Sequence, residues 1–130
     1  MCAGGIPSPD KDHPCKMITA GLDMLRFIED YNKGRLEKGF AVWDIRIGMH
    51  VGPVVAGVVG KKKYAYDIWG STVNIASRME TNGNPGMVNI SAAAYEQVKN
   101  DYVCNHRGKI YAKNVGEIDM YFVEKEIQKY

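Results

Sequence analysis

KYAYDIWGSTVNIASRME, residues 63 to 80, sets how the chain folds around it. An aromatic-rich extended run ends at Trp69, breaks at Gly70 and continues with helical spacing. Asn74 and Arg78 are one turn apart, so an amide and a guanidinium share one helix face. Val73, Ala76 and Met79 follow helical spacing around a different face, which leaves the two polar side chains free to project from the core. The carboxylate of Asp67 stands just before the turn. Strand-end acid, neutral amide and fixed cation within one strand-turn-helix unit suit a ligand that carries both a base and phosphates.

The rest of the chain bounds what that unit belongs to. With 130 residues, 45% of them hydrophobic, there is material for one domain with a modest core. No apolar run approaches the ~20 residues that cross a bilayer, and MCAGGIPSPDKDHP lacks the basic start and apolar stretch of a signal peptide. A cytoplasmic chain is expected, or the soluble domain of a larger protein attached to a membrane only through other domains. Cys2, Cys15 and Cys104 are odd in number and far apart, as are His13, His50 and His106; neither a disulfide framework nor a zinc site is expected. A net charge of +2, concentrated only at Lys61-Lys62-Lys63, argues against nucleic acid as a partner.

Taken in order, MCAGG reads as strand-like, and Ser8-Pro9-Asp10 as a turn. His13-Pro14 opens a helix whose stripe (Met17, Ile18, Gly21, Leu22, Leu25, Ile28, Tyr31) ends at about Asn32, with Lys33-Gly34 closing it and residues 35 to 40 as a charged connector. Asp44 to Val51 alternates as a half-buried strand, with Asp44, Arg46, Gly48 and His50 on its polar face. Val54 to Val59 and Tyr64 to Trp69 form a hairpin with the three lysines at its tip. A helix over about Ser71 to Thr81 follows, then the turn Asn82-Gly83-Asn84-Pro85-Gly86, a strand Met87 to Ile90, and a short helix Ala92 to Lys99 with Ser91 as N-cap. Tyr102 to His106, Lys109 to Lys113 and Ile118 to Val123 read as strands, and Glu124 to Tyr130 as a frayed tail. Helices mixed with antiparallel hairpins give an α+β class, a sheet covered by helices.

The string Asp67 to Glu80 resembles the catalytic signature of class III nucleotidyl cyclases, adenylyl cyclases in particular. The likeness extends over nearly the whole chain. Met1 to Pro7 looks like the strand after that family's second metal-binding aspartate, Arg46 to Gly57 like its central strand and glycine turn, and Arg107-Gly108 through Lys113 like its phosphate-facing strand. The resemblance implies a ferredoxin-like, mostly antiparallel sheet with helices packed on it. It also implies roles: Asp67 accepts from the adenine amine, where guanylyl cyclases usually carry a small residue or Cys; Asn74 orients the ribose; Arg78 stabilises charge on the α-phosphate; Lys113 holds the β- and γ-phosphates. Lys113 is the weaker of these assignments, since Val115 stands where the family often has a second lysine.

The family's two metal aspartates and its adenine-reading lysine have no position among these 130 residues. The chain therefore looks like the C-terminal two-thirds of one catalytic domain, with part of the sheet's apolar face left exposed. By resemblance, the two divalent cations, Mg2+ or Mn2+, bind to a second protomer of a homodimer or swapped dimer, and this chain alone is inactive or nearly so. The parent activity implied is adenylate cyclase, ATP to cyclic AMP and pyrophosphate. The alternative is a noncatalytic nucleotide-binding or regulatory half that acts by pairing with another cyclase domain. An RNA-binding ferredoxin-like module is disfavoured by weak charge and the absence of an aromatic RNP-type strand.

Overall fold

Switches between helical and alternating apolar patterns lay down the elements in turn. The computed structural model describes residues 1–6, 9–60, 65–112 and 115–127. Its elements are α1 (His13–Glu37), β1 (Ile47–Met49), β2 (Val55–Val59), β3 (Ala65–Trp69), α2 (Ser71–Thr81), β4 (Val88–Ser91), α3 (Ala92–Val98), β5 (Tyr102–Ala112) and β6 (Gly116–Glu126). Strands β1, β4, β6 and β5 form one sheet in that order, with β1 parallel to β4 and the other neighbours antiparallel; β2 and β3 form a separate hairpin. This is the α+β, mostly antiparallel arrangement expected.

Two apolar layers sandwich the sheet. On one face α1 and α3 bring Ile18, Ala94 and Val98 against Val88, Ile90 and Val123. On the other α2 brings Ile75 and Met79 against Ile118 and Met120. Gly21 marks where α1 comes closest: a Cβ there would lie 2.7 Å from the Met49 Cε.

Several boundaries differ from expectation. Helix α1 runs three residues past Gly34 to Glu37. A mid-helix glycine costs only about 1 kcal/mol. Against that cost, the Arg35 Nε donates to the Ala41 carbonyl at 2.6 Å, and its guanidinium packs on the Tyr31, Phe40 and Trp43 rings at 5.4 to 5.8 Å. Asn32 ties down the same connector, its amide donating to the Trp43 carbonyl and accepting from the Trp43 N–H. Residues 1–6 form no strand, because the chain bends at Gly4 and Gly5 against His13 and Gly5 has φ of 81°.

The two strands expected over Tyr102 to Lys113 are one, β5, with an irregularity at Arg107 between His106 and Gly108. Arg107 takes the α2 face, where its guanidinium lies 5.1 Å from the Phe122 ring, and the extra residue sets Gly108 opposite Met120 and Ile110 opposite Ile118 on that same face. Glu124, Lys125 and Glu126 are not frayed: they continue β6, and Glu126 pairs with Tyr102. The far part of α1 is not covered by the sheet, so Phe27, Tyr31 and Trp43 are exposed beside a cleft lined by Ala20, Asp23, Met24, Phe27, Ile28 and Ile45. No helix among the described residues is long and apolar enough to cross a membrane.

Candidate active site

Helix α2 spans Ser71–Thr81, the same residues its sequence pattern predicts. Gly70 precedes it with φ of 132°, a conformation that favours glycine and lets the chain turn sharply out of β3. Thr72, Ile75 and Met79 are buried, while Asn74 and Arg78, one turn apart, are exposed together on the opposite side. Among the described residues no carboxylate pairs with the Arg78 side chain, and no side chain bonds that of Asn74. The nearby Glu80 is drawn instead toward Arg46, with 3.7 Å between Oε1 and Nε. The site therefore presents a permanently charged guanidinium and a neutral amide to solvent, both available to a ligand.

The helix is held at each end. At its start, the Thr72 hydroxyl donates to the Pro53 carbonyl at 2.5 Å, and a Cβ on Gly52 would lie 2.6 Å from the Thr72 Oγ1. The turn after β1 thus abuts the first turn of α2. His50 braces that turn: its Nδ1 lies 2.6 Å from the Ser91 Oγ, while its Nε2 is 3.5 Å from the position a Gly52 Cβ would take. Burial pushes the His50 imidazole below its usual pKa of 6.5, so it is neutral at neutral pH. The Ser91 Oγ also accepts from the Ala94 N–H, capping α3 as expected.

At its other end, α2 lies directly on the sheet. A Cβ on Gly48 would overlap the backbone of Met79 and Glu80, lying 2.6 Å from the Glu80 Cα and closer still to its nitrogen. The strand face read from sequence as polar and half exposed is therefore covered by a helix, because glycine leaves the space. Asn82 closes the last turn, its backbone N–H and its side-chain amide both donating to the Arg78 carbonyl at 2.9 Å. Gly48, Thr72, Asn82 and Asn89 are supports that sequence reasoning did not assign to the site. The only available signal for Asn89 was a polar residue in the middle of an apolar strand.

Of the four residues carried by the resemblance, the structure places Asn74 and Arg78 together. Asp67 lies on β3 opposite Gly57, three residues before Gly70, but its side chain falls outside what is described. Lys113 lies outside the described residues. Among the described residues no group of three or more His, Cys, Asp and Glu side chains gathers to hold a metal ion.

This strand-turn-helix geometry has counterparts. A family model described as the adenylate and guanylate cyclase catalytic domain matches residues 1–125. The chain belongs to that family. An adenylate cyclase of Mycobacterium tuberculosis is 37% identical over 123 residues, which cover 95% of this chain and 27% of that protein. The guanylate cyclase soluble subunit beta-2 of Rattus norvegicus is 36% identical over 124 residues, 95% of this chain and 18% of that one. Among solved structures, the guanylate cyclase domain of RhGC from Catenaria anguillulae, in complex with GTP, superposes with a TM-score of 0.84 at 30% identity, covering 95% of this chain and 65% of that one. The cyclase fold is thus spanned in part, and its relatives include enzymes named for either nucleotide.

Proposed function

We propose that this chain contributes the base, ribose and phosphate-binding half of an adenylate cyclase site, in which ATP becomes cyclic AMP and pyrophosphate. The observation that carries the reading is the exposed Asn74–Arg78 pair on a helix seated at both ends, directly after the strand that bears Asp67. In-line displacement at a phosphorus is helped mainly by positioning and by fixed charge. Asn74 has one donor and one acceptor group for a ribose hydroxyl. Arg78 offers a planar fork of donors to the α-phosphate oxygens, where negative charge shifts as the 3′-oxygen attacks. Lys113 holds the β- and γ-phosphates, and Asp67 accepts from the exocyclic amine of adenine, which favours ATP over GTP. The mycobacterial relative, named an adenylate cyclase, supports that preference.

Class III cyclases use divalent metals. The described residues of this chain do not fit them, since no acidic cluster forms. We assign Mg2+ or Mn2+ to ligands on a second protomer, the partner in a homodimer or swapped dimer. The second reading, a regulatory half that binds nucleotide without turnover, is favoured by the same missing cluster. Incubation of the purified chain with ATP and Mn2+ tests the division of labour. Negligible cyclic AMP is expected, and robust formation would show that the metal ligands lie within these residues.

A further inference from the structure

We propose that Asn89 is a positioning residue for Arg78, acting through the helix backbone; this rests on the cyclase reading only for its catalytic consequence. The last turn of a helix leaves carbonyls without intrahelical partners. In α2 the Arg78 carbonyl accepts from Asn82, and the Glu80 carbonyl from the Gly83 N–H. The carbonyl between them, that of Met79, accepts from the Asn89 Nδ2 at 2.9 Å. A strand in the middle of the sheet thus caps the helix that carries the catalytic guanidinium.

Register makes this contact specific. Asn89 stands opposite Gly48 in the parallel pair of β1 and β4. Both address one peptide group, the one joining Met79 to Glu80: Gly48 makes room beneath it and Asn89 binds its oxygen. That peptide lies one residue beyond Arg78. A directional bond to it fixes the rotation and height of the helix end, which apolar contact alone leaves free to slide.

The amide is held at a cost to stability. Asn89 is completely buried, and its Oδ1 has no hydrogen-bond partner among the described residues. Its other polar neighbour is the weak acceptor Met120 Sδ, 3.4 Å from Nδ2. A leucine of similar shape would remove the stranded oxygen, at the expense of the Met79 cap. Packing gives no reason to prefer the amide; holding the helix end does.

The test compares the full chain with Asn89→Leu and Asn89→Ser, the latter too short to reach Met79 and serving if leucine prevents folding. Amide hydrogen exchange at Asn82 and Gly83 should accelerate by about tenfold or more, while β5 and β6 amides keep their protection. With a metal-bearing cyclase protomer added, kcat should fall by about tenfold to a hundredfold with KM little changed, since small displacements of a catalytic group are costly. Unchanged exchange at Asn82 and Gly83, or acceleration through the whole sheet, would overturn the proposal. If the unsubstituted chain yields no product in that mixture, the cyclase reading fails, and the exchange result still decides the role of Asn89.

Discussion

Gly48 and Asn89 face each other across β1 and β4 and meet the same peptide of α2, one by lacking a side chain and the other by bonding its oxygen. Adding a methyl group at Gly48 must move backbone, not a flexible side-chain end. Gly48→Ala is expected to cost about 1–3 kcal/mol, the usual range for overpacking a well-filled interior, and Gly48→Val more. Urea unfolding of the two variants measures this. A loss below a few tenths of a kcal/mol would mean that α2 does not rest on β1.

The ion pair beside that contact should matter far less. Arg46 and Glu80 are both about half exposed and 3.7 Å apart. Exposed pairs of this kind contribute about 0–1 kcal/mol and are screened by salt. Glu80→Gln should therefore leave the unfolding midpoint nearly unchanged, in contrast with Gly48→Ala at the same helix end.

Stability should depend on pH through His50. Its folded pKa lies below the ordinary 6.5, so just below that pH the unfolded chain binds the proton more readily than the folded one. Stability from this group is full above 6.5 and is lost as the pH falls through that value toward the folded pKa. Replacement by Asn keeps a polar partner for Ser91 without a titrating ring. Urea midpoints at about pH 7.5 and 5.5 should show a smaller acid loss for His50→Asn than for the unsubstituted chain. Equal losses would place the pH dependence elsewhere.

Ser91 joins two of these supports, as N-cap of α3 and partner of His50. Ser91→Ala should cost about 0.5–2 kcal/mol from the cap alone. Because Ser91 and His50 touch, the double variant with His50→Ala, which removes the polar partner, should lose less than the sum of the single losses. A double-mutant cycle on unfolding free energies checks this, and strict additivity would show that their contact carries no energy.

Much of this was legible in residues 63–80. The break at Gly70 and the helical spacing beyond it gave α2 its bounds, and the Asn74 and Arg78 interval gave their shared exposed face. Other features depend on contacts distant in sequence. The end of α1 could not be read at Gly34, because Arg35 is held by Phe40, Trp43 and the Ala41 carbonyl. Alternation in β1 showed which residues share a face, but not that α2 would cover the glycine side. The bulge at Arg107 interrupts a period of two, so β5 read as two strands. Asn89 is a polar residue within an apolar strand, and nothing local in the sequence names its partner on α2.

The half-site reading meets its most direct test in complementation. The chain is mixed with a cyclase protomer that keeps its metal aspartates but lacks a working Asn/Arg pair, and cyclic nucleotide formation is measured with ATP and with GTP. Cyclic AMP should form in preference to cyclic GMP, and Arg78→Ala in this chain should reduce it by about a hundredfold or more, as expected for removal of a group that stabilises transition-state charge. Absence of product with either nucleotide, or full activity with Arg78→Ala, would contradict the assignment.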